Sequence, residues 1–156
     1  MLRKVIAGGL LVFMTGCAPL SLPRYIPSRN VETQRFYAGY ERVLPAARQA
    51  MQEMGWQMAQ EADPNIFEIG NADNQADQAI LIISEPRPER ALWGSRQARL
   101  NIYIYSQGEV SDMEIRRLEV CRGWILRTRR FGAPDEIQAF FKRVRDLLGI
   151  SGSFGG

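Results

Sequence analysis

The stretch Ala98-Arg99-Leu100-Asn101-Ile102-Tyr103-Ile104-Tyr105 decides the fold. Ala98, Leu100, Ile102 and Ile104 alternate with Arg99, Asn101, Tyr103 and Tyr105. Successive side chains of a strand point to opposite faces, so this period of two predicts a strand with one apolar side. The first set predicts a core on one side of a sheet. The second predicts a surface that carries Arg99, Tyr103 and Tyr105 to solvent or to a partner. Aromatic residues and Arg are enriched at binding hot spots, which makes these three candidate partner contacts. The preference of Tyr for sheets accounts for the same pattern without a partner.

Outward from this strand, Gln107-Gly108 reads as a turn. Beyond it Met113 and Ile115 alternate, but after Arg116-Arg117 the apolar phase moves to Leu118 and Val120. A bulge at the arginine pair accounts for such a slip. Ser111 with Glu114 also mimics a helix capping box, so 109–122 reads as strand with helix as its rival. A bend near Gly123 and a strand through Trp124, Leu126 and Thr128 follow. On the other side, 85–97 holds Pro86, Pro88 and Gly94 and reads as a loop. It sets Trp93 among Arg87, Arg90 and Arg96, either as a contact or as one large side chain tucked under the loop. Ala79–Ile83 is a short apolar run suited to a strand covered on both faces. Trp56–Glu61, the turn Asp63-Pro64-Asn65 and Ile66–Gly70 read as a hairpin, and 31–37 as a first strand.

Two helices flank these strands. From Tyr40 to Met54, apolar residues recur three and four apart, with Pro45 in or near the first turn and Gly55 as C-cap. Ile137, Phe140, Phe141, Val144, Leu147 and Leu148 form a second stripe, opened by Asp135 and Glu136 and stopped by Gly149. The expected architecture is α+β: a two-layer sandwich. Its mainly antiparallel sheet has about five strands, with an N-terminal and a C-terminal helix packed on one face. The domain spans 31–149 and 150–156 is a tail.

The chain has no His, which removes Ser-His-Asp and Cys-His catalysis and the commonest zinc ligand. No metal, cofactor or enzymatic activity is expected. Seven acidic and no basic residues lie between Gln49 and Pro86, whereas nine basic and three acidic residues lie between Ile115 and Arg145. The two segments either neutralise each other in the fold or make a dipolar surface. Cys121 has no intrachain partner once Cys17 is spoken for, and reads as a buried thiol, an intermolecular bridge or a reactive site.

The first sixteen residues explain why Cys17 is spoken for. Arg3 and Lys4 precede the apolar run Val5–Met14, about half the ~20 residues a membrane-spanning helix needs. Met14-Thr15-Gly16-Cys17 resembles the lipobox of bacterial lipoproteins, with Met14 where Leu is usual. The resemblance implies a signal peptide over 1–16 and a diacylglycerol on Cys17. Ala18 in place of Asp implies, for a Gram-negative host, the periplasmic face of the outer membrane. Residues 17–30 hold Pro19, Pro23 and Pro27 and read as an extended tether, able to set the domain up to ~35 Å from the bilayer, with docking of Leu20, Leu22, Tyr25 and Ile26 on a partner or back on the domain as the alternative.

Loss of Arg3 and Lys4 takes the net charge from +3 to +1, which argues neither for nor against nucleic acid, and no nucleic-acid partner is expected. The lipobox, the tether and the rhythm from Tyr40-x-x-Val43 through Gly55-Trp56 to the last helix resemble small envelope lipoproteins with a helix-grip, BamC-like domain. That resemblance implies a non-enzymatic accessory subunit of an envelope assembly or transport complex, with an envelope protein as partner. A carrier of a lipid or amphipathic ligand is the alternative. A hydrolase using carboxylates or Cys121 is the weaker third.

Overall fold

The computed structural model describes residues 22–27, 31–67, 77–90, 94–122 and 127–150. The sheet is built on one long ribbon, β5 (Ser95–Gln107) and β6 (Val110–Arg122), paired without a break from Ser95↔Arg122 to Gln107↔Val110. Gly108 turns the ribbon at φ 62°, a backbone region that costs glycine little. The Asp77 carboxylate accepts the Gly108 N–H at 2.9 Å, tying β3 to the same turn.

Each edge of the ribbon carries two shorter strands. β3 (Gln78–Ser84) and β4 (Arg87–Glu89) pair with β5. β1 (Glu32–Phe36) and β7 (Arg127–Phe131) pair with β6. β2 (Met58–Ala62) pairs with β3 and completes an antiparallel sheet of seven strands among the described residues.

Five strands form the main path β1-β6-β5-β3-β2 and β4 and β7 lie off it, so the sheet has two strands more than the expected five. β4 sits inside the stretch expected to be a loop. Its Pro88 is tolerated there because an edge strand can spare an N–H. The hairpin expected over 56–70 is replaced by another pairing. A 3-10 turn, Pro64–Ile66, follows β2, and the Asp63 carboxylate accepts the Asn65 N–H at 2.9 Å. β2 then finds its partner in β3. Residues 68–70, and the expected bend and strand residues Gly123, Trp124 and Leu126, lie outside the described residues.

α1 (Tyr40–Glu53) follows β1, so the two helices bracket β2–β7 rather than the whole sheet. Pro45 stands inside α1, on its exposed side, rather than in the first turn. α2 (Pro134–Leu148) begins on Pro134, Asp135 and Glu136 and ends on Gly149 in the left-handed conformation. The Arg42 guanidinium donates to the Leu148 carbonyl at 3.0 Å, so one helix caps the end of the other.

Val43, Ala47, Ala50 and Met51 of α1 join Ile137, Phe140, Phe141 and Val144 of α2 in one apolar cluster. Ala98, Leu100, Ile102 and Ile104 of β5, with Met113 and Ile115 of β6, belong to the same cluster. Each fully buried Val, Leu, Ile, Phe or Met side chain of this cluster contributes about 1.5–3 kcal/mol.

The expected bulge at Arg116-Arg117 is absent, because the β5–β6 register runs through it unbroken. The apolar phase changes because the sheet is covered on both faces. Met113 and Ile115 join the helix-side cluster, while Leu118 and Val120 belong to a second cluster with Leu22 and Ile26, against which Phe131 packs. Residues 22–27 are therefore a strap on the sheet. The free tether expected for 17–30 does not describe them, because Leu22 and Ile26 find apolar cover there. No helix among the described residues is long and apolar enough to cross a membrane.

Candidate interaction face of the sheet

Residues directly opposite in an antiparallel pair share a face. The face away from the helices therefore carries Arg99, Asn101, Tyr103 and Tyr105 of β5 opposite Leu118, Arg116, Glu114 and Asp112 of β6. Hydrogen bonding divides it in two. At one end the strap lies across it, and three side chains donate to strap carbonyls. Arg99 Nη1 reaches Leu22 O at 3.2 Å and Pro23 O at 2.8 Å. Asn101 Nδ2 reaches Arg24 O at 3.2 Å, and Arg116 Nη1 reaches Ile26 O at 3.2 Å. Arg116 Nη1 also donates to Tyr25 Oη at 2.9 Å, and the Tyr25 ring stacks on Phe67 with centroids 5.5 Å apart.

Arg99 is only 7% exposed, and burial holds its pKa below the ordinary arginine value, with Glu85 opposing the shift and Arg24 adding to it. A buried guanidinium needs partners. Arg99 finds them in backbone carbonyls, and Arg116 adds an ion pair with Glu114. The expectation that Arg99 faces a partner protein is corrected: its acceptors lie in the chain's own strap. The signal was present in Leu22 and Ile26, which a free tether leaves without cover.

At the other end, Tyr103 and Tyr105 are half-buried side by side, with ring centroids 5.1 Å apart and planes tilted by 32°. Beyond them Arg35 donates to both oxygens of Asp112 at 2.9 Å. That carboxylate raises the Arg35 pKa, chiefly by hydrogen bonding. Tyr37, just past β1, is 73% exposed.

The helix side carries a second charged group, and it is structural. Arg87 lies 3.7 Å from the centre of the Trp56 ring and bridges Glu89 at 2.8 Å and Glu136 at 2.5 Å. Arg117, 6% exposed, reaches Glu136 at 2.7 Å, Glu119 at 3.2 Å and Glu89 at 3.3 Å. This network ties the first turn of α2 to β4 and β6. Burial pushes the Glu119 carboxyl up. Hydrogen bonds from the Cys121 thiol and Arg117, with the Arg96 and Arg117 charges, outweigh it and leave the pKa lowered. Cys121 is half-buried, and its Sγ donates to Glu119 Oε1 at 3.2 Å.

The acidic and basic halves of the sequence meet directly at Glu53 and Arg143. Arg116 and Arg117 instead pair with Glu114, Glu89, Glu119 and Glu136, which lie outside the acidic half. Among the described residues no cluster of three or more Cys, Asp or Glu is placed to hold a metal. Trp93 and Cys17 lie outside the described residues. The chain matches no protein-family model and no curated protein.

Proposed function

We propose that this protein is a lipid-anchored periplasmic lipoprotein of the outer membrane. It serves as a non-enzymatic accessory subunit of an envelope assembly or transport complex. On this reading the helices form one layer and the sheet the other, a two-layer sandwich of the helix-grip type. The carrying observation is the tyrosine end of the outer face. Tyr103 and Tyr105 sit together there, half-buried, and Arg35 lies near enough to feel both Tyr105 and the exposed Tyr37. Rigid aromatic rings on a sheet face give contact area at small entropic cost, the character of a protein hot spot.

The helix–sheet space holds Phe36, Trp56, Phe140 and Phe141, each at most 2% exposed. That filling favours a protein partner over a carried lipid, which needs an apolar cavity of about 300 Å³ or more.

Photo-crosslinking in intact cells from position 103 or 105 tests the reading. A discrete protein adduct is expected, along with loss of the co-purifying partner in Tyr103→Ala/Tyr105→Ala. A lipid recovered from the native protein, with no protein adduct, would favour the carrier instead. Cys17→Ser is expected to abolish acyl labelling and membrane sedimentation.

A further inference from the structure

We propose that the strap-bearing half of the outer sheet face lies on the bilayer and meets anionic phospholipid headgroups. The inference rests on the acylation of Cys17 and adds to it an orientation and a lipid preference.

The first argument is chain length. The strap is pinned from Leu22 onward by Arg99, Asn101 and Arg116. Five residue steps separate Leu22 from Cys17, a span of at most ~17 Å when fully extended. A free tether over 17–30 would allow about twice that stand-off. The acyl chains must therefore enter the membrane within that short radius of Leu22. Leu22 lies in the cluster of Leu118, Val120 and Phe131 on the outer face, with the sheet between it and the helix-side cluster. A short leash rooted on one face turns that face toward the membrane.

The second argument is charge. By register, the outer face holds Arg35, Arg99, Arg116 and Arg129, and its strap holds Arg24. Among the described residues, Asp112 and Glu114 stand against these on the face, with Glu85, whose charge acts on Arg99. Asp112 and Glu114 are engaged by Arg35 and Arg116, both toward or beyond the tyrosine end. The excess of cations lies around the strap, where Arg24 and Arg129 are exposed and Arg129 sits opposite Val120 of the strap cluster. Juxtamembrane cations are drawn to an anionic surface within a Debye length. The leash holds this patch at that distance. The tyrosine end, farther along the ribbon, then meets a partner at headgroup level.

The test uses the full acylated chain with Cys121→Ser. One environment-sensitive label is placed either at Gln97→Cys, on the outer face opposite Val120, or at Gln52→Cys, on the exposed side of α1. The protein is reconstituted in phosphatidylethanolamine–phosphatidylglycerol or in phosphatidylcholine vesicles carrying a headgroup quencher.

Flotation reads the anchor, and quenching reads the orientation. In phosphatidylglycerol vesicles the Gln97 label is expected to be quenched roughly threefold more than the Gln52 label, the contrast between groups inside and outside the screened layer. Arg24→Glu/Arg129→Glu is expected to lose the contrast while still floating, and Arg24→Lys/Arg129→Lys to keep it. Flotation with equal quenching of both labels would overturn the proposal and leave the anchor standing. So would a contrast equally strong on phosphatidylcholine. A contrast seen only in native membranes, with a protein adduct from position 97, would place a protein on this surface in the lipid's stead. Failure to float would overturn both anchor and orientation.

Discussion

Arg99 shows how a residue chosen as a contact can be right in chemistry and wrong in partner. Its guanidinium has the donor count to bind extended backbone, and it spends two of those bonds on Leu22 and Pro23. Hydrogen bonds from a charged group contribute about 1.5–3 kcal/mol. Arg99→Ala is expected to free the strap, and the readout is trypsin cleavage after Arg24, several-fold faster than in the wild type under native conditions. An unchanged rate would show that the apolar side chains alone hold the strap.

Glu119 gives a pH prediction at the same scale. Its folded pKa is lowered, so the stability it contributes is present above its unfolded value and lost as pH falls through the folded one. The gap in urea midpoint between wild type and Glu119→Gln is therefore expected to be full near neutrality and to close in acid. A gap independent of pH would assign the effect to packing.

Among the elements, β6 carries the main lesson. Its residues were legible as a strand, and their change of phase was legible too, but the cause was not. A bulge and a second covered face leave the same trace in a list of apolar positions. Only the partners Leu22 and Ile26, far away in the chain, distinguish them. β5, α1 and α2 were plain in the sequence because each has a local period and a local stop signal, as Gly149 supplies for α2. β4 was hidden because three residues between prolines carry no period. The β2 pairing was hidden because it spans the 3-10 turn and the stretch after it. The face on which Tyr103 and Tyr105 lie was legible for the same local reason, whereas the strap contacts of Asn101 and Arg116 depend on tertiary structure. The strap sets a limit of its own. Ile26 is fully buried, and truncating such a residue costs about 2–5 kcal/mol in a rigid core. A strap can detach, so its cost is capped at the free energy of docking. Ile26→Ala is expected to raise hydrogen exchange in the strap while leaving exchange in β5 and β6 unchanged. Phe140→Ala is expected to raise exchange throughout, with a loss of about 3–5 kcal/mol in global stability.

At the scale of the whole molecule, the sheet closes by pairing segments far apart in the chain. β1, the first strand, lies against β6, and the helix that follows it shares a core with the last helix. The β5–β6 hairpin is local, but the β1–β6 pairing and the packing of α1 against α2 close long loops, which cost entropy before the contacts return it. Folding in the millisecond-to-second range is expected, slower than for helical proteins of this length. The helix-side cluster runs without a gap from α1 through the sheet to α2, so no part of it has a separate core with which to stay folded. Unfolding of this part is expected to be a single transition. Trp56, at the junction of α1 and β2 and 1% exposed, reports on it once Trp93 and Trp124 are replaced by Phe. Its fluorescence midpoint in urea is expected to coincide with that of far-ultraviolet circular dichroism, while cleavage after Arg24 sets in at lower urea. A Trp56 transition that precedes the dichroism would mean that α1 and β2 detach as a unit, and that the two helices do not share the cooperative core assigned to them here.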